Sequence, residues 1–379
     1  MRYRLCWLLV FLFATKLVGG QSYTHDSQTA FARAQGLKRG VNLAGWFSQS
    51  PNGYSSFHTS TYIDDGDIAL IAKLGFDNVR LSVDPVQLEE SPRDEEGLNA
   101  NFTAGLDRAV DMVLAHGLAV LIDFHPPDNT SKLPLRDSDA AVEHLVGLWR
   151  RVAAHYASRD SDRIFFEILN EPGAIDPRRW AVIEQRVATV IREVAPGNTI
   201  IATGPNGSSI ADLLTQGPLK DGNVIYNFHF YQPHEFTHQG ASWAVPWWRY
   251  THGIPYPPTA ASMAESLKEV PDAASRYALE EYWLDGWNAQ RIQMLVDEAA
   301  AWGETNHVPL ICNEFGVFRN HTDAASADSW LHDVRVALEK DGIGWTVWCY
   351  LAGFGIATKE AGQQAEPRLT TIEALGLRK

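Results

Sequence analysis

The chain is 379 residues long, 45% hydrophobic and 21% charged, with 29 Gly, 19 Pro, 13 Trp and only 3 Cys. These figures allow a large apolar core and exclude a disordered chain, a collagen-like repeat and a disulfide-stapled miniprotein. A formal net charge of −14 argues against nucleic acid or anionic lipid as partner, since both need a basic face. It favours a neutral, polyhydroxylated ligand, for which Trp rings supply flat apolar faces.

The N-terminus comes first. Basic Met1-Arg-Tyr-Arg4 precedes an apolar run, Leu5 to Val18, broken by Lys16, and then small Gly19-Gly20 and polar Gln21-Ser22. This order reads as a signal peptide over residues 1–21, with a mature chain of 22–379 that is secreted or periplasmic. The run is too short for a comfortable membrane span, so no membrane association is expected after cleavage. Of the three cysteines, Cys6 leaves with the signal. Cys312 and Cys349 fall on neighbouring strands facing opposite ways, and two buried free thiols are expected.

Beyond the signal, short apolar runs alternate with longer amphipathic ones. Strands are predicted at Arg39–Leu43, Asn78–Val83, Ala119–Phe124, Ile164–Asn170, Thr199–Thr203, Val224–Phe230, Pro309–Glu314 and Gly344–Trp348. Their continuous apolar character is that of parallel strands buried on both faces. Helical spacing fills the gaps, as over Ile63–Leu74, Phe102–His116, Ala140–Tyr156 and Arg178–Val194. Eight such units predict an α/β fold, a (β/α)8 TIM barrel in one domain. An open doubly wound sheet is disfavoured, because no Gly-rich phosphate loop follows the first strand. After strand 6, about fifty residues rich in aromatics and Pro run from Tyr231 to Trp287, too long for an ordinary loop. This insertion is expected to wall a cleft on the face where such barrels bind ligands, with half of its aromatics serving only to pack it down.

Polar residues gather at the strand ends: Arg80, Asp123-Phe-His125, Asn170-Glu171, His229, Tyr231, Asn313-Glu314 and Trp348. A barrel brings these to one mouth. Any one of them alone is explained as a helix cap; together they are the parts of a carbohydrate-cleaving site. Cleaving a glycosidic bond needs a proton donor for the leaving oxygen and a carboxylate for the oxocarbenium ion, and Glu171 and Glu314 supply the pair. One must hold its proton near neutrality, and a close like charge is expected to raise its pKa. Arg80 would keep the other ionised, Asn170 offers an amide to a sugar hydroxyl, and Trp348 offers a floor for a ring.

Arg80, His125, Asn170-Glu171, His229, Tyr231, Glu314 and Trp348 match, in order and context, the pattern of glycoside hydrolase family 5. That is the cellulase-type family with catalytic glutamates at strands 4 and 7. Arg39-Gly-Val-Asn-Leu-Ala-Gly-Trp46, Ile168-Leu-Asn-Glu-Pro172 and Cys312-Asn-Glu-Phe-Gly316 resemble its motifs. The resemblance implies a retaining double displacement with Glu171 as acid/base and Glu314 as nucleophile. It implies that Tyr231 and Arg80 orient Glu314, and that Asn170 contacts the hydroxyl beside the anomeric carbon. His125 and His229 would line the subsite of cleavage, with no metal or organic cofactor. The expected partner is β-glucan or a related plant or microbial polysaccharide, and the expected state a monomer. Endo-β-1,4-glucanase action leads; β-mannanase and β-1,3- or mixed-linkage glucanase action stay open, as does endo versus exo cleavage.

Two rivals remain. His234-Glu235-Phe-Thr-His238 spells the H-E-x-x-H of zinc proteases, a motif that works only on a helix. Here Pro233 and Gly240 bracket it, so loop residues reaching the cleft, or plain surface histidines, are expected instead. A non-catalytic carbohydrate-binding barrel would have lost a carboxylate or its supports, and none is lost here.

Overall fold

The eight apolar runs form strands β1 (Arg39–Asn42), β2 (Asn78–Val83), β3 (Ala119–Phe124), β4 (Ile164–Glu167), β5 (Thr199–Thr203), β6 (Val224–Phe230), β7 (Leu310–Phe315) and β8 (Gly344–Val347). The computed structural model describes residues 27–378 apart from 128–129, 174, 244 and 361; the expected signal segment lies outside them. The strands pair in parallel in chain order, and β8 returns to β1 through Gly40 opposite Thr346, closing a barrel. Every strand residue except Arg39 is buried, as sheets covered on both faces require. Gly40 is obligatory at this seam: a Cβ there would lie 2.3 Å from Asn78 Oδ1 and 2.5 Å from Thr346 Oγ1.

Helices Asp65–Leu74, Ala100–Ala115, Asp139–Tyr156, Pro177–Val194, Ala289–Asn306 and Ala324–Lys340 surround the barrel. Each starts on a side-chain cap: Asp64, Asn99, Ser138, Asp176, Asn288 and Asp323 accept from the first-turn amides. The helical stripe Leu106, Val110, Val113 is fully buried against the sheet, each side chain contributing about 1.5–3 kcal/mol. The fifth unit departs from the expected rhythm. Only the single turn Ile210–Leu213 lies between β5 and β6.

Inside the barrel, chemistry divides by height. At the N-terminal end Leu121, Phe165, Ile201, Ile225 and Ile311 pack together, and Ala30 of helix Gln28–Ala34 joins them with Leu37 as a floor. At the C-terminal end the inward residues turn polar. The β6–β7 register shifts between Phe228 and His229, so that His229 pairs with Glu314, and β7–β8 shifts between Cys312 and Phe315. Such irregularities re-aim side chains, and here they fall beside Glu314. Cys312 and Cys349 are buried and free.

The insertion after β6 is more ordered than an aromatic loop. It contains the turn His234–Thr237, a 3-10 segment Pro246–Tyr250 and helices Ala260–Glu269 and Ala273–Leu284, the last two capped by Thr259 and Asp272. Tyr256 fastens it down, its OH donating to Asp333 Oδ2 (2.9 Å), and Tyr282 braces it internally, its OH donating to the Pro255 carbonyl (2.6 Å).

Candidate active site

Arg80 is the hub of the polar layer. It leaves the middle of β2 into the barrel and is completely buried, which a guanidinium tolerates only when every donor is used. Nε and Nη2 clasp Glu167 of β4 with two 2.7 Å bonds, the bidentate fit of a planar fork to a carboxylate. Nη1 donates to Glu314 Oε1 (2.6 Å) and Asn42 Oδ1 (3.0 Å). Nη2 also reaches Asn170 Oδ1 (3.0 Å) and Asp123 Oδ2 (2.9 Å). Arg80 thus serves Glu314, as expected, but its main partner is Glu167.

Glu314 is held through both oxygens. Arg80 takes Oε1, and the Tyr231 hydroxyl donates to Oε2 at 2.9 Å. Across from it Glu171 keeps about a third of its side chain exposed. His229 stands between the two, with Nδ1 donating to Glu171 Oε1 (2.9 Å) and lying 3.6 Å from Glu314 Oε2. One oxygen each of Glu171 and Glu314 and a ring nitrogen of His229 all lie within 4.8 Å of one another.

The protonation of Glu171 departs from expectation. Burial does push its carboxyl up, but the His229 hydrogen bond and charge, with help from Lys132 and His125, hold it below the usual range. Burial lowers His229, yet Glu314 and Glu171 outweigh that and raise it. A donor placed between two carboxylates changes the like-charge argument, because it favours the charged form of each. Next to it burial pushes Asp123 up to about 7 against the pull of Arg80, with Glu314 adding to the rise. Burial also drives His125 down to about 3. His125 is therefore a neutral ring whose Nδ1 donates to Asp123 (2.8 Å) and whose Nε2 accepts from Gln49 (3.2 Å).

These groups line a cleft of about 520 Å³ at the C-terminal mouth, with Asn170, Glu171, His229, Tyr231, Glu314 and Trp348 in its wall. Trp348 stacks on His125, with centroids 5.5 Å apart and planes at 16°. The insertion forms the facing wall, as its position implied. Trp248 lies parallel to His234 (5.4 Å, 3°) and tilted on His238 (4.9 Å), while Trp243, 58% exposed, meets Phe318 edge-on at 4.7 Å. A second cavity of about 510 Å³ lies at the opposite end, between Phe31, Lys38, His307 and Asp341. Its lining includes Glu304 and Asp341 but none of the expected site residues.

Seven of the eight expected site residues line this cleft, and the eighth, the fully buried Arg80, joins them through Glu314 and Asn170. Three further residues matter that sequence reasoning left out of the site, Asn42, Glu167 and Lys132, and Asp123, noted only for its place at the end of β3, proves to be a partner of Arg80 and His125. Asn42 Nδ2 also donates to the Asn313 carbonyl (3.0 Å), and Asn313 Nδ2 to Glu167 Oε2 (2.8 Å). The H-E-x-x-H stretch occupies one short turn. His234 and His238 face the cleft, and burial drives His238 to about 3. Glu235 is not in the cleft wall. Among the described residues, the cluster spaced to hold a metal ion is Glu171, His229 and Glu314. Both Glu314 oxygens already accept hydrogen bonds there, one from the cationic Arg80, so a cation would enter against a fixed positive charge.

The family model described as cellulase, glycosyl hydrolase family 5, matches residues 41–353. Endoglucanase 3 of Fibrobacter succinogenes is 29% identical over 344 residues, covering 84% of this chain and 50% of that protein. Endoglucanase C of Acetivibrio thermocellus is 30% identical over 323 residues, covering 83% of this chain and 91% of its own. This chain therefore spans half the length of the first relative and nearly all of the second. A solved hyperthermophilic endo-β-1,4-glucanase in complex with substrate has a TM-score of 0.71 at 25% identity, covering 92% of this chain and 99% of that one.

Proposed function

The chain belongs to glycosyl hydrolase family 5 and is a glycoside hydrolase, and from that premise we propose that it is an endo-β-1,4-glucanase acting by retaining double displacement. The observation that carries the mechanism is the spacing of the two carboxylates. One oxygen of Glu171 and one of Glu314 lie within 4.8 Å of each other, a close approach that fits the about 5–5.5 Å between carboxyls of retaining enzymes better than the roughly 6.5–9.5 Å that leaves room for a water.

In this reading Glu314, oriented by Arg80 and Tyr231, attacks the anomeric carbon from one face. Glu171 protonates the departing glycosidic oxygen from the other, and the product is a covalent glycosyl ester on Glu314. The proton reaches Glu171 along the 2.9 Å bond from His229 Nδ1. Glu171 then takes a proton from a water that attacks the same carbon and releases Glu314. Two inversions restore the β configuration. Asn170, whose carbonyl oxygen is committed to Arg80, has its amide N–H groups left for a sugar hydroxyl. Neutral His125 and Trp348 form a continuous stacked surface beneath the ring.

The substrate reading rests on the endoglucanase relatives and on an aromatic cleft with no Lys or Arg among its described lining residues. The mature chain of residues 22–379 acts as one exported catalytic domain and as a monomer. No helix among the described residues is long and apolar enough to cross a membrane.

Reducing-sugar release on soluble β-1,4-glucan, mixed-linkage glucan, β-1,3-glucan, glucomannan, galactomannan and xylan tests the substrate. The highest kcat/KM is expected on β-1,4-glucan, with a rapid fall in viscosity that marks internal cleavage. Preference for galactomannan or β-1,3-glucan would replace the glucanase reading by one of its relatives. Silence on every polymer would remove the polysaccharidase reading itself.

A further inference from the structure

Lys132 lies in the 3-10 segment Thr130–Arg136 after β3 and is 3% exposed. An ammonium is among the costliest groups to bury, so its donors need strong acceptors. Nζ donates to two backbone carbonyls, those of Asn170 (3.2 Å) and Glu171 (2.5 Å). These belong to the two peptide planes on either side of the Glu171 Cα. Glu171 itself sits at φ 38°, in the left-handed region that costs a residue with a Cβ about 1–3 kcal/mol unless its surroundings hold it there. The next residue is Pro172, which has no N–H to give and disfavours a helical continuation.

The geometry points to Lys132 as a positioning residue for Glu171: by tying both flanking peptide planes to one ammonium it fixes the direction in which the carboxyl leaves the backbone. The inference rests on Glu171 being the acid/base. Precise placement of a proton donor is worth far more than its local strain costs, because a misplacement of an ångström loses much of its advantage. Lys132 also adds a positive charge to a crowded neighbourhood. Glu171 is faced by His229 and Tyr231 from β6 and its end, Glu314 from β7, His125 and Lys132 from beyond β3, and His234 from the insertion.

The test compares two aryl β-cellobiosides. One has a poor leaving group that needs protonation; the other, a dinitrophenolate, leaves unaided. Lys132→Met is expected to lower kcat/KM on the first by about tenfold to a hundredfold and on the second by less than about threefold. Loss of the positive charge raises the Glu171 pKa, so the basic limb of the kcat/KM profile moves to higher pH by about half a unit or more. Lys132→Arg, which keeps charge and reach, recovers part of the activity on the poor leaving group. It also carries the same comparison if Lys132→Met fails to fold. Equal losses on both substrates, or an unmoved basic limb, would overturn the inference. Glu171→Gln, run alongside, separates the two readings. If it loses no activity on the poor leaving group, the acid/base assignment fails before Lys132 is judged.

Discussion

Glu314→Ala is expected to lower kcat/KM on β-1,4-glucan by about 10⁴-fold or more, with the fold intact. Removing this carboxylate takes away the group placed to attack the anomeric carbon from its face of the cleft. The protein should survive the change, because Arg80 keeps Glu167 and Asp123 as counter-ions. Added azide sharpens the assignment. In Glu314→Ala the anion can occupy the vacated space and attack directly, giving the α-glycosyl azide from an activated substrate. In Glu171→Ala the covalent ester still forms, slowed by about 10²–10⁴-fold on substrates that need an acid, and azide then opens it to the β-glycosyl azide. The same product anomer from both variants, or the two anomers exchanged, would show that the roles of Glu171 and Glu314 have been misassigned.

Arg80→Met should be the most destabilising single change in the barrel. It leaves Asp123, Glu167 and Glu314 buried around an apolar side chain. Breaking a buried ion pair from one side costs about 3–5 kcal/mol, and here three carboxylates lose the same partner. Urea unfolding followed by Trp fluorescence would measure it. Part of the cost should be relieved at low pH, where the orphaned carboxylates take up protons. Activity should fall with stability at neutral pH, because Glu314 Oε1 loses its 2.6 Å donor. A variant as stable as the parent at pH 7 would contradict the picture of Arg80 as the hub.

The barrel was legible because parallel strands announce themselves as unbroken apolar runs, and seven of the eight predicted strands lie within a residue of their observed limits. Ile164–Asn170 was read too long. Its last three residues leave β4 as the backbone bends toward the left-handed Glu171, a bend no periodicity reveals. Seven of the eight candidate site residues were legible because they sit at or just past strand ends, where a barrel fixes their convergence; Arg80, inside β2, is the exception. Glu167 was missed for the complementary reason: it lies inside Ile164-Phe-Phe-Glu-Ile168, and a strand interior was read only as core. A signal was present, since a carboxylate within an apolar strand demands a buried partner, and Arg80 inside β2 makes the same demand.

Lys132 gave no such signal. It follows a polar loop, and only the path of the segment after β3 carries it under Glu171. The insertion helices were hidden by attention to aromatics, although Thr259 and Asp272 are ordinary N-caps. The direction of the Glu171 shift was misjudged because charge counting does not say that His229 lies between the two glutamates. Angular placement around the barrel decides that, and the β6–β7 register shift sets it.

The central claim is that Glu171 and Glu314 act in a retaining double displacement, and the most direct measurement is proton NMR of the products in the first minutes of hydrolysis of a cello-oligosaccharide. The account predicts that the new reducing end appears as the β-anomer and drifts to the mutarotation equilibrium. An α-anomer appearing first would contradict it: a water, rather than Glu314, would then attack the anomeric carbon.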